Sequence, residues 1–364
     1  MPMEEIVILG AGMAGLGAAH RLNEQGLKPV IYEKMPHYGG HTASKAHKEG
    51  FIFDEGPHVS FTKDGRIQEL FARSVNGQYE TVQYNVNNYW KGAWIKHPAH
   101  CNLYGLPSEL VVAIIADFVK VKGSDHPTSG NYEDWLVASY GETFAKTFPM
   151  EYTTKYHTTE ARNLSTDWLG PRMHQPKLED VLQGALSPST PSFHYLTEFR
   201  YPSRGGFVSF LNSFLSGARV VVDHEVVAIH PSSRMLTFAG GKTVPYGGLV
   251  SSIPLPDLMA LIQGVPEDVL EAAGRLACSS CVLVNVGIDR EDISQSHVTY
   301  FYDHDIFFTR LSFPHMMSPN NVPPGGGSIQ AEVYYSRKYK PLEIAPKDCV
   351  QPVIADLRLS LIHI

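Results

Sequence analysis

The chain has 364 residues, 43% of them hydrophobic and 18% charged, which excludes a disordered chain and suits about two domains. A formal net charge of −7 argues against a nucleic-acid partner gripped through a basic surface. Four cysteines are too few for a disulfide scaffold, so a reducing, cytoplasmic setting is expected.

The first apolar run, Ile6 to Leu9, follows two acidic residues and runs straight into glycines, unlike a secretory signal. It reads as a buried parallel strand. Gly10-Ala-Gly12-Met13-Ala14-Gly15 comes next, then a predicted helix from Leu16 to Gln25 ending at Gly26. A second strand, Pro29 to Tyr32, leads into Glu33 and Lys34. This strand–turn–helix–strand unit is the context that a dinucleotide-binding glycine motif requires. Gly10 permits the tight turn, Gly12 lets backbone approach a pyrophosphate, and Gly15 lets helix and strand pack closely. The helix N-terminus offers free N–H groups to phosphate. Glu33 is placed to accept hydrogen bonds from an adenosine ribose, which disfavours the 2′-phosphate of NADP.

Two further glycine stretches follow, Gly39-Gly40-His41 and Gly56-Pro57-His58. Taken singly, each reads equally well as an ordinary turn. The apolar window Leu110 to Val121 reads as a packed helix capped at Ser108. It falls short of the roughly 20 residues that span a bilayer, and Asp117 interrupts it. Membrane association is therefore not expected. Cys278 and Cys281 form a lone C-x-x-C in a strand-like run, without the second ligand pair that structural zinc needs. The 17 histidines show no H-E-x-x-H spacing, so no metal is expected.

The ordered series from Gly10 through Glu33, Gly39-Gly40 and Gly56 to His58 resembles the flavin amine-oxidase superfamily. That resemblance implies FAD, with Gly39, Gly40 and His41 along the ribityl and pyrophosphate, and Gly56, Pro57 and His58 beside the isoalloxazine. It also implies that a valine backbone pairs with adenine, and Val226 in the β-rich stretch 217–229 is the candidate. Later segments resemble the UDP-galactopyranose mutase branch: Tyr89-Trp90 to His97-Pro98, Asn131 to Trp135, Tyr152 and Lys155, Trp168 to Arg172, Tyr201 to Gly206, and Phe308 to Phe313. By that resemblance Arg172 and Arg310 grip a substrate diphosphate. Departures fall at His97, His100, Thr153 and His157, where the mutases carry other nucleotide- and sugar-contacting residues. A different substrate is therefore in view.

The expected fold class is α/β: a Rossmann-like FAD-binding domain with a parallel sheet (1–75 and 203–275), interleaved with a mixed helical and β substrate domain (76–202 and 276–364). The family's C-terminal flavin-contacting segment is not matched. The end from Leu359 to Ile364 reads like a translated sequencing adapter, hence a non-native tail. The expected activity is hydride transfer from a small-molecule substrate to flavin N5, with His58, Arg172 and Arg310 as the catalytic candidates. The alternatives are a redox-neutral mutase acting on a nucleotide sugar, or a truncated FAD-binding product without activity.

Overall fold

A computed structural model describes residues 5–123, 130–170 and 173–360. The chain forms two units. Unit 1 takes residues up to 81, 200–277 and 318–324; unit 2 takes 82–199, 278–317 and 325–364. The short segment 318–324 that returns to unit 1 has no counterpart in the boundaries expected from sequence.

In unit 1, Ile6–Leu9 (β1) is flanked in parallel by Val30–Tyr32 (β2) and by Gly248–Ser251, and Arg219–Val221 adds to β2 in the same sense. Val7, Ile8 and Leu9 are buried, as expected of a strand covered on both faces. The helix after β1, Met13–Glu24 (α1), starts three residues earlier than the periodicity predicts, because Gly12 is its N-cap and Gly15 already lies within it. The helix Gly65–Ser74 is capped by Asp64, whose Oδ1 accepts from Arg66 N at 2.8 Å and Ile67 N at 3.3 Å. Its Phe71 stacks on Phe210 at 4.8 Å, which fastens the 3₁₀ segment Phe207–Leu215.

Asp54 joins the distant pieces of unit 1. Its Oδ1 accepts from Ser44 Oγ (2.5 Å) and Phe207 N (3.0 Å), and its Oδ2 from Tyr201 OH (2.7 Å). Tyr201 OH in turn accepts from Asn321 Nδ2 at 3.3 Å. Burial raises the Asp54 pKa, against the pull of its donors Ser44, Tyr201 and Phe207.

Unit 2 is a six-stranded sheet and a helical layer. The sheet runs Ser280–Ile288, Gly327–Tyr335, Arg310–Ser312, Val298–Phe301, Val86–Trp90, Ala93–Lys96. Its pairs are antiparallel except Val298–Phe301 beside Val86–Trp90. The helical layer packs around Ile114, Phe118, Leu136, Phe144 and Phe148. The helix Ser108–Lys122 differs from expectation at its start: Pro107 is the N-cap, and Ser108 makes no capping bond. Pro107 is held extended, so Ser108 already carries helical backbone and Glu109 supplies the first-turn acid instead. Asp117 caps the next helix but one, accepting from Thr143 N (3.1 Å) and Oγ1 (2.5 Å). Cys278 is exposed and lies before the strand that contains Cys281, whose thiol burial pushes up to about 12. Among the described residues, no helix is long and apolar enough to cross a membrane.

Lys155 is buried, and its Nζ donates to the carbonyls of Asp303 (2.6 Å) and Ile306 (3.1 Å). Burial lowers its pKa to about 7, with the Asp303 charge pulling the other way. Between about 7 and the ordinary lysine value, the unfolded chain binds a proton that the folded chain does not. Stability from this group should therefore rise with pH across that window and be flat below it. Urea unfolding of wild type and Lys155→Met from about pH 6 to about pH 9 checks this, with wild type gaining on the variant as pH rises. Parallel profiles would show that Lys155 keeps its proton when folded.

Candidate dinucleotide and substrate sites

In unit 1 the glycine loop is held by backbone bonds and one carboxylate. Gly10 N donates to Tyr32 O at 2.8 Å, and φ is +96° there, which glycine adopts without strain. A Cβ on Gly15 would overlap the Gly10 carbonyl oxygen, so α1 packs on the loop only without a side chain there. Glu33, at the end of β2, is buried. Its Oε2 accepts from Ala11 N (2.7 Å) and its Oε1 from Met35 N (2.9 Å). It thus fixes the loop itself, a role its position in the motif did not announce. Gly39 N donates to Ala11 O at 2.8 Å, and Gly12 bridges Gly39. Ala43 links this cluster to the next, its N–H reaching Gly40 O and its carbonyl accepting from Glu55 N.

The N-terminus of α1 has no acid in its first turn and, unlike the helix capped by Asp64, no capping side chain. Its first N–H groups have no intrahelical partner. They sit beside Gly12, where an added Cβ would meet nothing closer than 3.7 Å. This is a cradle of anion-binding form. Met13 and Ala14 begin the helix, while Lys34 and His41 are exposed around the loop. His58 Nδ1 lies 2.9 Å from Gly56 O, with its ring against Phe207, and Pro57 is half-buried between them. Val226 is buried in a core with Tyr32, Leu236 and Phe238, at a register shift in its strand.

Unit 2 holds a cavity of about 400 Å³. It collects residues from far apart in sequence: His97 and His100, Tyr152 and Thr153, His157, Trp168, His174, His194, Tyr300 and Arg310. His97, His100, Thr153 and His157, the four positions singled out in the sequence, all line it. Arg172 lies outside the described residues. Burial lowers the pKa of His97, His157 and His194, and that of His100 to about 3, so these four rings are neutral. Asn88 Nδ2 donates to Ile95 O and Lys96 O, which orients its amide. Its Oδ1 then accepts from Tyr302 OH (3.1 Å) and faces His97 Nδ1 at 3.0 Å. The His97 proton therefore sits on Nδ1, and Nε2 is the acceptor.

Arg310 donates from Nε and Nη2 to both oxygens of Glu332, each at 2.7 Å. Tyr334 donates to the same carboxylate, and the guanidinium lies 5.7 Å from the Tyr156 ring. Burial opposes the Arg310 charge, and Glu332 outweighs it, so the arginine pKa lies well above its ordinary value. Sequence reading missed Glu332, although an acid inside the buried run Ser328 to Val333 signals a need for an internal cation.

Residues 8–74 match the model of a family described as NAD(P)-binding Rossmann-like domain. The chain aligns structurally over 98% of its length with a reduced UDP-galactopyranose mutase, covering 79% of that chain at a TM-score of 0.89 and 24% identity. It aligns over 99% with a putative protoporphyrinogen oxidase from Exiguobacterium sp. 255-15, covering 84% of that chain at a TM-score of 0.75 and 15% identity. Putrescine oxidase bound to putrescine gives a TM-score of 0.62 at 15% identity, covering 98% of this chain and 81% of that one. The chain therefore shares the fold of these three solved structures. In sequence, 68 residues are 39% identical to a 15-cis-phytoene desaturase of an Oncidium hybrid cultivar, covering 19% of this chain. Another 59-residue match is 39% identical to a 4,4'-diaponeurosporene oxygenase of Staphylococcus haemolyticus, covering 16% of this chain. Each match spans 12% of the relative's own length.

The loop geometry separates two glycines sharply. Gly12→Ala adds a Cβ that the protein alone accommodates, so ligand-free protein should melt as wild type does while any dinucleotide the wild type retains is lost. Gly15→Ala should destabilise the ligand-free protein as well, because its Cβ meets backbone. Melting curves and released-flavin absorbance of both variants check this; equal dinucleotide content in wild type and Gly12→Ala would refute the cradle.

Proposed function

We propose that the protein is an FAD-dependent oxidoreductase acting on a small, uncharged or cationic organic substrate. The observation that carries this reading is the cancelled charge of the unit 2 cavity. Among its described lining residues, Arg310 bears the one permanent charge, and Glu332 neutralises it bidentately. An anion entering there would gain little Coulomb attraction and would lose its hydration. The tyrosine, phenylalanine and tryptophan faces favour apolar or cationic groups instead.

Unit 1 supports FAD. The open N-terminus of α1 with Gly10, Gly12, Met13, Ala14 and Gly15 would take the pyrophosphate. Glu33 keeps a second lone pair on each oxygen for a ribose hydroxyl, with Lys34 beside it. Gly39, Gly40 and His41 would follow the ribityl, Val226 the adenine, and Gly56, Pro57 and His58 the ring. Bound FAD would supply a two-electron acceptor that takes a hydride from a substrate C–H bond at N5. The protein's own part is position and proton handling. His97, neutral with Nε2 bare, can accept a proton from a substrate N–H or O–H. The aromatic walls orient the substrate and exclude water.

A second reading, a redox-neutral nucleotide-sugar mutase, is favoured by the TM-score of 0.89 to the mutase. Reduced flavin and a diphosphate gripped by Arg310 and Arg172 would then be required.

Two measurements decide. Anaerobic mixing of the oxidised, yellow protein with amines and alcohols should bleach the flavin for the right class; bleaching by none of them sinks the oxidase reading. UDP should not bind wild type in either oxidation state. Glu332→Gln should free the Arg310 charge and create UDP affinity, while Arg310→Ala should cost about 3–5 kcal/mol of stability by stranding a buried carboxylate. Tight UDP binding by reduced wild type would transfer the assignment to the mutase.

A further inference from the structure

We propose that His100, Cys101 and His174 form a binding site for a borderline divalent transition metal such as zinc, in the wall of the unit 2 cavity. The site does not involve the flavin cradle, and the charge-neutral cavity described above is that of the metal-free protein.

One donor atom from each of the three residues lies within 4.8 Å of the other two. Donors around tetrahedral zinc sit roughly 3.3–3.8 Å apart, given Zn–N of about 2.0–2.1 Å and Zn–S of about 2.3 Å. Closure by about an ångström, within the reach of side-chain torsions, completes the geometry. The Nε2 atoms of both histidines are buried and have no hydrogen-bond partner. Two buried imidazole nitrogens without partners, next to a buried sulfur, are what a metal would satisfy. Two imidazoles and a thiolate suit zinc and its first-row neighbours and disfavour magnesium and calcium, which take oxygen ligands.

The surrounding structure holds the three donors in place. His100 stacks between Tyr140 (4.9 Å) and His174 (5.5 Å). Tyr140 OH donates to the His174 carbonyl at 2.8 Å, which ties the second histidine to the helical layer. Cys101 is fully buried in the turn Ala99–Cys101, against Gly184, where an added Cβ would overlap the Cys101 carbonyl. On metal entry the Cys101 thiol releases its proton to solvent, the sulfur donates a lone pair, and the site carries one net positive charge. His100 and His174 both line the cavity. The fourth coordination position would thus be reached from the cavity, by water or by a Lewis-basic substrate atom, as in catalytic zinc sites with three protein ligands.

The test uses the whole protein, stripped with chelator and reloaded with zinc, then with cobalt. X-ray absorption at the zinc edge should show one sulfur and at least two nitrogens, with about one zinc per chain. Cobalt should give the intense red-region bands of a tetrahedral site, where oxidised flavin is transparent. Cys101→Ser should remove the sulfur scattering. His174→Gln, at a half-buried position, should weaken zinc at least about tenfold and is read even if the buried serine variant does not fold. A zinc shell without sulfur, zinc affinity unchanged in His174→Gln, or no zinc retained after reloading would each overturn the site. Flavin content and bleaching are measured on the same samples, so loss of the metal site and loss of the oxidase reading are told apart.

Discussion

The chemistry of unit 2 depends on a buried carboxylate that must be paid for. Glu332 is 1% exposed on the strand Gly327–Tyr335, where an unpaired negative charge would be untenable. Arg310 stands directly opposite it in the antiparallel register, so strand pairing and ion pair specify each other. A one-residue slip would turn Arg310 to the other face and strand the acid. The same pair also fixes what the cavity is electrically. An arginine that resembles a diphosphate-gripping residue is already engaged, and the surrounding tyrosines close over it. The likeness to the mutase is one of fold.

The glycine loop and the cavity differ in how far apart along the chain their parts lie. The geometry of the glycine loop was legible because its parts lie within the first 58 residues and each glycine meets a local demand. Gly10 turns the chain, Gly15 admits the helix, and Gly39 reaches back to Ala11 across 28 positions. Glu33 was read from its place in the motif as a ribose ligand; that it clamps the loop through Ala11 N was not read, because a hydrogen bond to backbone leaves no trace in residue type. The cavity was legible only through the resemblance. His97, His174 and His194 come from separate segments, and periodicity cannot say that three loops converge. Glu332 was missed because the partner that makes it intelligible lies 22 residues away on another strand. The cap at Ser108 failed for a simpler reason: the proline before it already held the extended conformation that a cap needs.

The metal-like cluster shows the same limit from the opposite side. His100 and Cys101 are adjacent, but the third donor arrives 73 positions later, brought by a stretch with no periodic signal. Spacing rules find ligands on one helix or one knuckle. They do not find a donor set assembled by packing, which becomes visible only as buried nitrogens without partners.

Unit 1 is stitched from three stretches of chain, and Asp54, Tyr201 and Asn321 are its knots. β1 is bordered on one side by Gly248–Ser251, some 240 residues downstream. On the ribosome, therefore, the glycine loop emerges first, yet its sheet stays half-built until most of the polypeptide has been synthesised. The segment 318–324 must follow before Tyr201 gains its last partner. During that interval an apolar strand edge is exposed, a hazard for misassociation that a sequentially folding Rossmann domain would not run. A nascent chain stalled early would consequently carry the glycine loop without the sheet that borders it.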